Sequence, residues 1–173
     1  LEPALRGREP ADIAGALAAM DGRMYGNHSA KAAIEIGLHD LVGRAAGKPV
    51  HALLGDKQRS QMALLAVVGG GDFDGDLSDA EKKKAAGFTA YKIKVGIDTA
   101  ANDAARTRAI CKVLGNGMLI SADANQGFST EQAIEYVRAV KGSSLDFFEQ
   151  PVSADDLAGM AAVKARGMRQ MPD

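Results

Sequence analysis

With 173 residues, 46% of them hydrophobic and 25% charged, the chain can bury one respectable core and falls in the ordinary soluble globular range. Twenty-one basic residues against twenty-two acidic ones leave a net charge of -1, which offers no field to draw in nucleic acid or an anionic membrane. A single cysteine excludes an internal disulfide framework and fits a reducing compartment. No apolar run approaches the roughly 18 residues of a membrane span, and "LEPALRGREP" has no signal-type apolar core, so a cytoplasmic protein is expected.

Two helical segments come first. "PADIAGALAAMDGRMYG" opens with Pro10, which suits a first turn, and places Ile13, Leu17 and Met20 on one side. "NHSAKAAIEIGLHDLVGRAAGKPV" sets Ala30, Ala33, Ile34, Gly37, Leu38 and Leu41 along an apolar stripe and Lys31, Glu35 and His39 along a polar one. Gly43, Gly47 and Pro49 are expected to stop it. From about residue 60 the rhythm changes. "QMALLAVV" reads as a strand, "GGGDFDGD" as a loop and "SDAEKKKAAG" as a helix with its lysines at the cation-favouring end. Then come strand "AYKIKVG", helix "DTAANDAARTRAICKVLGNG", strand "MLISADANQG", helix "STEQAIEYVRAVKG" with a Ser129–Gln132 capping box, strand "LDFFEQPV" and helix "ADDLAGMAAVKARG".

Strands alternating with helices indicate βαβ units and a parallel sheet, either doubly wound or part of a barrel. The ends of the strands favour the barrel, whose active sites assemble at that edge. Lys92 and Lys94, then Asp123 and Asn125, then Glu149 and Gln150 fall there at intervals of about one βα unit.

In "YKIK" the side chains alternate between faces, so Lys92 and Lys94 share one face. Two neighbouring ammonium groups in a desolvated pocket disfavour each other's charge, and one is expected to lose its proton and serve as a base. If "DAN" stays extended, Asp123 and Asn125 point the same way. Adjacent parallel strands lie about 4.8 Å apart, which lets Asp123 and Glu149 approach one ion. Oxygen donors of this kind suit Mg²⁺, with Mn²⁺ as the substitute. For either carboxylate alone, loop capping or lysine pairing is the simpler reading. Two carboxylates on adjacent strands beside two lysines reverse that preference. Gln150 is placed with the groups that contact substrate or support the site.

"KIKVG", "DANQG" and "FFEQPV", in this order and spacing, resemble the enolase superfamily, in particular its mandelate racemase and muconate lactonizing branch. "GNHSAKAAIEIGLHDLVGRAAGKPVHALLG" is similar to that family's lead-in to its barrel. The resemblance implies an α/β fold: about four βα units of a (β/α)7β TIM-like barrel, preceded by helices of a capping domain. Residues 1–55 would be the capping-domain segment and 56–173 the N-terminal half of the barrel. The family pattern makes Lys94 the base that removes a proton next to a carboxylate. Lys92 would bind that carboxylate and hold down the pKa of Lys94. Asp123 and Glu149 would be metal ligands, and Asn125 a supporting or substrate-contacting amide. A small-molecule carboxylate as substrate and a homo-oligomer are implied; nucleic acid and membrane are not. Racemisation, epimerisation or cycloisomerisation is the expected outcome, and acid-sugar dehydration the alternative.

A third ligand would be expected just past "RQMPD", and the opposing acid/base later still. The polypeptide is therefore expected to be part of a longer one; if whole, it would either assemble with another half or be an inactive truncated barrel. A barrel lyase using Lys94 as a Schiff-base nucleophile is the alternative from another mechanistic class. The glycine cluster before Asp72 lacks the spacing of a phosphate-binding loop. Cys111 is expected to be a buried structural thiol, Met160 and Met168 packing residues, and His28, His39 and His51 surface or packing residues.

Overall fold

The computed structural model describes residues 1–70, 72–167 and 169–171, the last three by their backbone alone. Met168 and Asp173, which entered the sequence reading, lie outside the described residues. The chain divides into two compact units, Leu1–Gln61 and a second from Met62 onward.

The first unit is helical: α1 (Glu2–Leu5), α2 (Ile13–Arg23), α3 (His28–Ala46) and α4 (His51–Leu54). Asp12 caps α2 by accepting the Gly15 N–H at 3.0 Å. Contrary to expectation, α3 runs through Gly43 and ends at Gly47, whose φ of 64° is the left-handed conformation that closes helices. The Lys48 N–H returns to the Gly43 carbonyl at 2.9 Å. A Cβ at Gly43 would stand 2.8 Å from the Lys48 oxygen, so that glycine serves the turn rather than stopping the helix. Lys31, expected on the polar stripe, is only 7% exposed. Its ammonium donates to Asp21 Oδ1 at 2.7 Å and to the Met24 carbonyl at 2.6 Å, tying α3 to the end of α2. Leu41, expected on the apolar stripe, is 51% exposed, because within this unit α3 packs mainly against α2.

The second unit alternates strand and helix: β1 (Leu65–Val68), α5 (Phe73–Ala85), β2 (Ala90–Lys94), α6 (Ala100–Leu114), β3 (Leu119–Asp123), α7 (Thr130–Ala139), β4 (Phe147–Glu149), α8 (Leu157–Lys164) and β5 (Arg169–Met171). The strands form one parallel sheet in the order β1-β2-β3-β4-β5. That sequential order decides between the two α/β architectures. A doubly wound sheet reverses its order at a switch point and sends helices to both faces. Here α5 packs on α6, α6 on α7, and α7 on α8, the continuous layer that crossovers of one hand lay along one face of a sequentially ordered sheet. The fold is α/β with barrel-type βα units.

The core lies between sheet and helices. Val68, Tyr91, Ile93, Ile120, Ala122 and Phe148 are fully buried there with Ile110, Leu114, Ala133 and Tyr136. Cys111 is buried as expected, and burial pushes its thiol pKa up. The capping box of α7 is complete: the Gln132 N–H donates to Ser129 Oγ and the Ser129 N–H to Gln132 Oε1.

Two element boundaries differ from the expected ones. β1 begins at Leu65, opposite the first residue of β2, and leaves Met62 and Leu64 exposed before the ladder starts. α5 begins five residues early, at Phe73, because Asp72 accepts the Gly75 N–H at 2.6 Å and Asp74 and Asp76 favour the positive end of the helix. The lysines at the end of α5 are partly engaged: Lys83 donates to the Val67 carbonyl and Lys84 to that of Val113.

Inside the core, Tyr136 and Thr107 hydroxyls meet at 2.9 Å, and both residues are fully buried. Tyr136→Phe or Thr107→Val alone strands a buried hydroxyl and is expected to cost about 1 to 2 kcal/mol. The double variant should cost clearly less than the sum in denaturant titrations. Additive losses would show that the two hydroxyls do not depend on each other.

Candidate active site

The register of the sheet builds the site. Lys94 pairs with Asp123, Asp123 with Glu149, and Lys92 lies one step back opposite Ser121. Tyr91, Ile93 and Val95 are buried in the helix-side core, so Lys92 and Lys94 stand on the other face. Lys94 Nζ donates to Asp123 Oδ2 at 2.6 Å and to Asn125 Oδ1 at 2.6 Å. Lys92 Nζ reaches across β3 to Glu149 Oε1 at 2.7 Å and stands 3.5 Å from Asp123 Oδ2. Asp123, only 1% exposed, accepts the Asn125 N–H on its other oxygen at 2.9 Å.

Five of the six expected site residues therefore converge. Burial works against the charge of Lys92. The hydrogen bond to Glu149 and the fields of Glu149 and Asp123 outweigh it and hold Lys92 above its ordinary value. Burial also opposes the Asp123 carboxylate. The Lys94 ammonium, the Asn125 N–H and the charges of Lys94 and Lys92 overcome it, and Asp123 is held below the usual carboxylate range. For Lys92 this reverses the expected lysine–lysine repulsion, because each ammonium meets a carboxylate before it meets its neighbour.

Asn125 does not sit on an extended strand as expected. β3 ends at Asp123, and Asn125 and Gln126 take left-handed φ values of 44° and 69°. The turn itself delivers the Asn125 amide to Lys94. Gln150, with φ 33°, is buried, and its Nε2 donates to the Val152 carbonyl at 2.9 Å, which ties its amide to the loop after β4. Gln126, which the sequence reading passed over, ties that loop to the one after β3: its N–H donates to the Gln150 carbonyl at 2.9 Å, and its Oε1 accepts the Ala154 N–H at 2.8 Å. No local pattern in "DANQG" separates this glutamine from a solvated one.

Two glycines admit close backbone approaches around Lys94. At Gly96, φ 78°, a Cβ would stand 2.8 Å from the Ala124 oxygen. At Gly69, φ 128°, it would stand 3.0 Å from the Lys94 nitrogen, which gives part of the glycine-rich loop a packing role at the site.

The donor set fits a hard divalent cation. Asp123 and Glu149 are carboxylates on adjacent strands at one register level, and the Lys92 ammonium already stands between them as a cation. Among the described residues no group of three His, Cys, Asp or Glu side chains could hold a metal, so these two supply an incomplete set. The histidines belong to no such cluster. Among the described residues no helix is long and apolar enough to cross a membrane.

Comparison with known proteins matches the same two parts. Residues 1–55 match the mandelate racemase / muconate lactonizing enzyme N-terminal domain, and residues 76–172 match the enolase C-terminal domain-like family. The chain belongs to the mandelate racemase / muconate lactonizing enzyme family of the enolase superfamily. It is 31% identical to an N-succinyl-L-Arg/Lys racemase of Bacillus cereus over 96% of this chain and 45% of that protein. The muconate cycloisomerase structure from Pseudomonas fluorescens superposes with a TM-score of 0.90 at 31% identity, over 99% of this chain and 48% of that one. A dipeptide epimerase from Cytophaga hutchinsonii, complexed with Mg and D-Ala-L-Val, superposes with a TM-score of 0.85 at 31% identity, over 98% and 46%. The chain thus spans less than half the length of these family members.

The depressed Asp123 pKa contributes stability at pH values above the unfolded carboxylate's pKa, lost as pH falls through the folded value. Lys94→Met removes the hydrogen bond and the charge. Its Asp123 carboxyl is expected to titrate nearer the ordinary value of about 3.9, so both the stability this group contributes above that pH and the acid-side loss of it should shrink. Carboxyl-carbon NMR titration checks this; an unmoved Asp123 would mean that Lys94 does not stabilise its charge.

Proposed function

We propose that these residues form one wall of an active site that removes the α-proton of a carboxylate substrate, in a racemase, epimerase or cycloisomerase of this family. The observation that carries the reading is the row of Lys94, Asp123 and Glu149 across three adjacent strands, with Lys92 one step behind it. In this reading Lys94 is the base; Asn125 orients its nitrogen, and Asp123 holds it until the site is loaded. Lys92 keeps its proton, as the fields of Glu149 and Asp123 favour, and binds the anionic end of the substrate. Asp123 and Glu149 would hold a divalent cation, Mg²⁺ or Mn²⁺, whose charge would stabilise the negative charge that develops on the substrate carboxylate. Asp123 cannot offer the same lone pair to Lys94 and to a cation, so loading the site and freeing the Lys94 amine are linked.

An α-proton is too weakly acidic for an amine unless the resulting enediolate is stabilised. Racemisation or epimerisation further requires a second acid/base on the opposite face of the substrate, for which further barrel units are the source. We place the protein in the reducing cytoplasm, in keeping with its one buried thiol, and as a homo-oligomer acting on small carboxylates.

The deciding experiment is exchange of substrate α-protons in heavy water by the complete polypeptide. N-succinylated amino acids and dipeptides, after the relatives' names, form the first panel. Exchange is expected with Mg²⁺, and Lys94→Ala should lower it by about 10²- to 10⁴-fold. Full activity in chelator, or in Lys94→Ala, would sink the reading. Separately, saturating Mg²⁺ at about 100 times its Kd should stabilise the fold by about 2.7 kcal/mol. Asp123→Asn and Glu149→Gln should abolish that gain; a gain unchanged in both would move the metal elsewhere.

A further inference from the structure

Three charged side chains that the proposed chemistry does not use are buried together behind Lys94. Asp103 is fully buried, and Asp76 and Arg106 are nearly so. Arg106 Nη2 donates to Asp103 Oδ1 at 2.6 Å and to the Lys94 carbonyl at 3.1 Å, while its Nη1 lies 3.4 Å from Asp76 Oδ2. Asp103 Oδ2 accepts the N–H groups of Gly96 at 2.7 Å and Ile97 at 3.3 Å. One guanidinium thus joins α5, α6 and the last residue of β2.

Such a set is costly to take out of water, and apolar residues of equal volume often stabilise a fold as well. What it supplies here is position. β1 ends at Val68, opposite Ile93, so the ladder on that side stops one residue short of Lys94. Arg106 provides the donor that the missing strand would have given, and Asp103 gathers the turn that follows. Both anchors bracket the Lys94 backbone, at its own carbonyl and at the N–H two residues on. The rigid fork of a guanidinium can hold a carbonyl and a carboxylate together; the point charge of a lysine matches that geometry poorly.

We propose that Arg106, held by Asp103 and Asp76, is a positioning residue for Lys94. By fixing the end of β2 it keeps the Lys94 amine aligned with Asp123 and with the substrate α-carbon. The inference rests on Lys94 being the base.

The test compares wild type with Arg106→Lys in the complete protein, with Asp76→Asn as the milder second variant should Arg106→Lys fail to fold. Lysine ε-carbon NMR, melting temperature and α-proton exchange are read together. In the folded variant the Lys94 signal should shift while that of Lys92 stays. The kcat should fall by up to about 10²-fold, as a misplacement of about 1 Å can cause, with KM changed less than about threefold. An unmoved Lys94 signal with unchanged kcat would overturn the proposal. So would parallel shifts of Lys92, Lys94 and KM alongside a lower melting temperature, which would indicate general loosening. If wild type shows no exchange, the functional reading fails by itself. The NMR then decides positioning alone: a selective Lys94 shift supports it, and an unmoved signal rejects it.

Discussion

Parallel strands set their residues side by side, and the register that aligns Lys94 with Asp123 and Asp123 with Glu149 is the constraint on which the rest of this molecule depends. A shift of one residue in any of these strands would turn its charged side chain toward the helices, where Tyr91, Ile93 and Phe148 are packed without solvent. The core therefore enforces the site. Each strand gives its alternate apolar residues to the helix side, and that commitment leaves the charged residues on a common face at a common level.

Charge balance then makes the arrangement tolerable. Two lysines on one strand repel, and two carboxylates on adjacent strands do likewise, yet crossed between strands they form a compact set of opposite charges. The same face carries Leu65, Val67 and Leu119 toward the other end of the strands, each close to half exposed. A barrel interior is lined in this manner, with apolar layers below and polar groups at the C-terminal edge. Behind the face, Asp103 and Arg106 hold the backbone that carries Lys94, so the Lys94 amine and the groups that anchor its backbone belong to opposite sides of one strand end.

Backbone strain gathers at the same edge. Asn125, Gln126 and Gln150 adopt left-handed conformations that non-glycine residues seldom enter, and they lie immediately after β3 and β4. Such strain persists where the surroundings over-determine it. Here the bonds from Asn125 to Lys94, from Gln126 to Ala154 and from Gln150 to Val152 do so, and the Gln126 N–H on the Gln150 carbonyl binds the two loops to each other.

Much of this was legible in the linear pattern. Apolar runs between helical runs marked strands β1 to β4, the Ser129–Gln132 spacing marked a helix start, and polar residues recurring once per βα unit marked the strand ends that carry the candidate site. Those signals are local, arising from side-chain alternation and capping within a few residues. Tertiary structure decided what depends on partners distant in sequence. Lys31 is buried because Asp21 and Met24 await it, and the two site lysines are charge-paired because register brings carboxylates from 29 and 57 residues away. In the sequence, Asp103 and Arg106 look like ordinary polar residues of an amphipathic helix; only the end of β1 at Val68, which leaves the Lys94 carbonyl to be satisfied from α6, gives them their place. By itself the sequence determined which residues could form strands and helices and which polar groups would stand at their ends. The folded chain decided which of those groups meet, because a charge's partner and its burial are set by register and packing rather than by its neighbours along the chain.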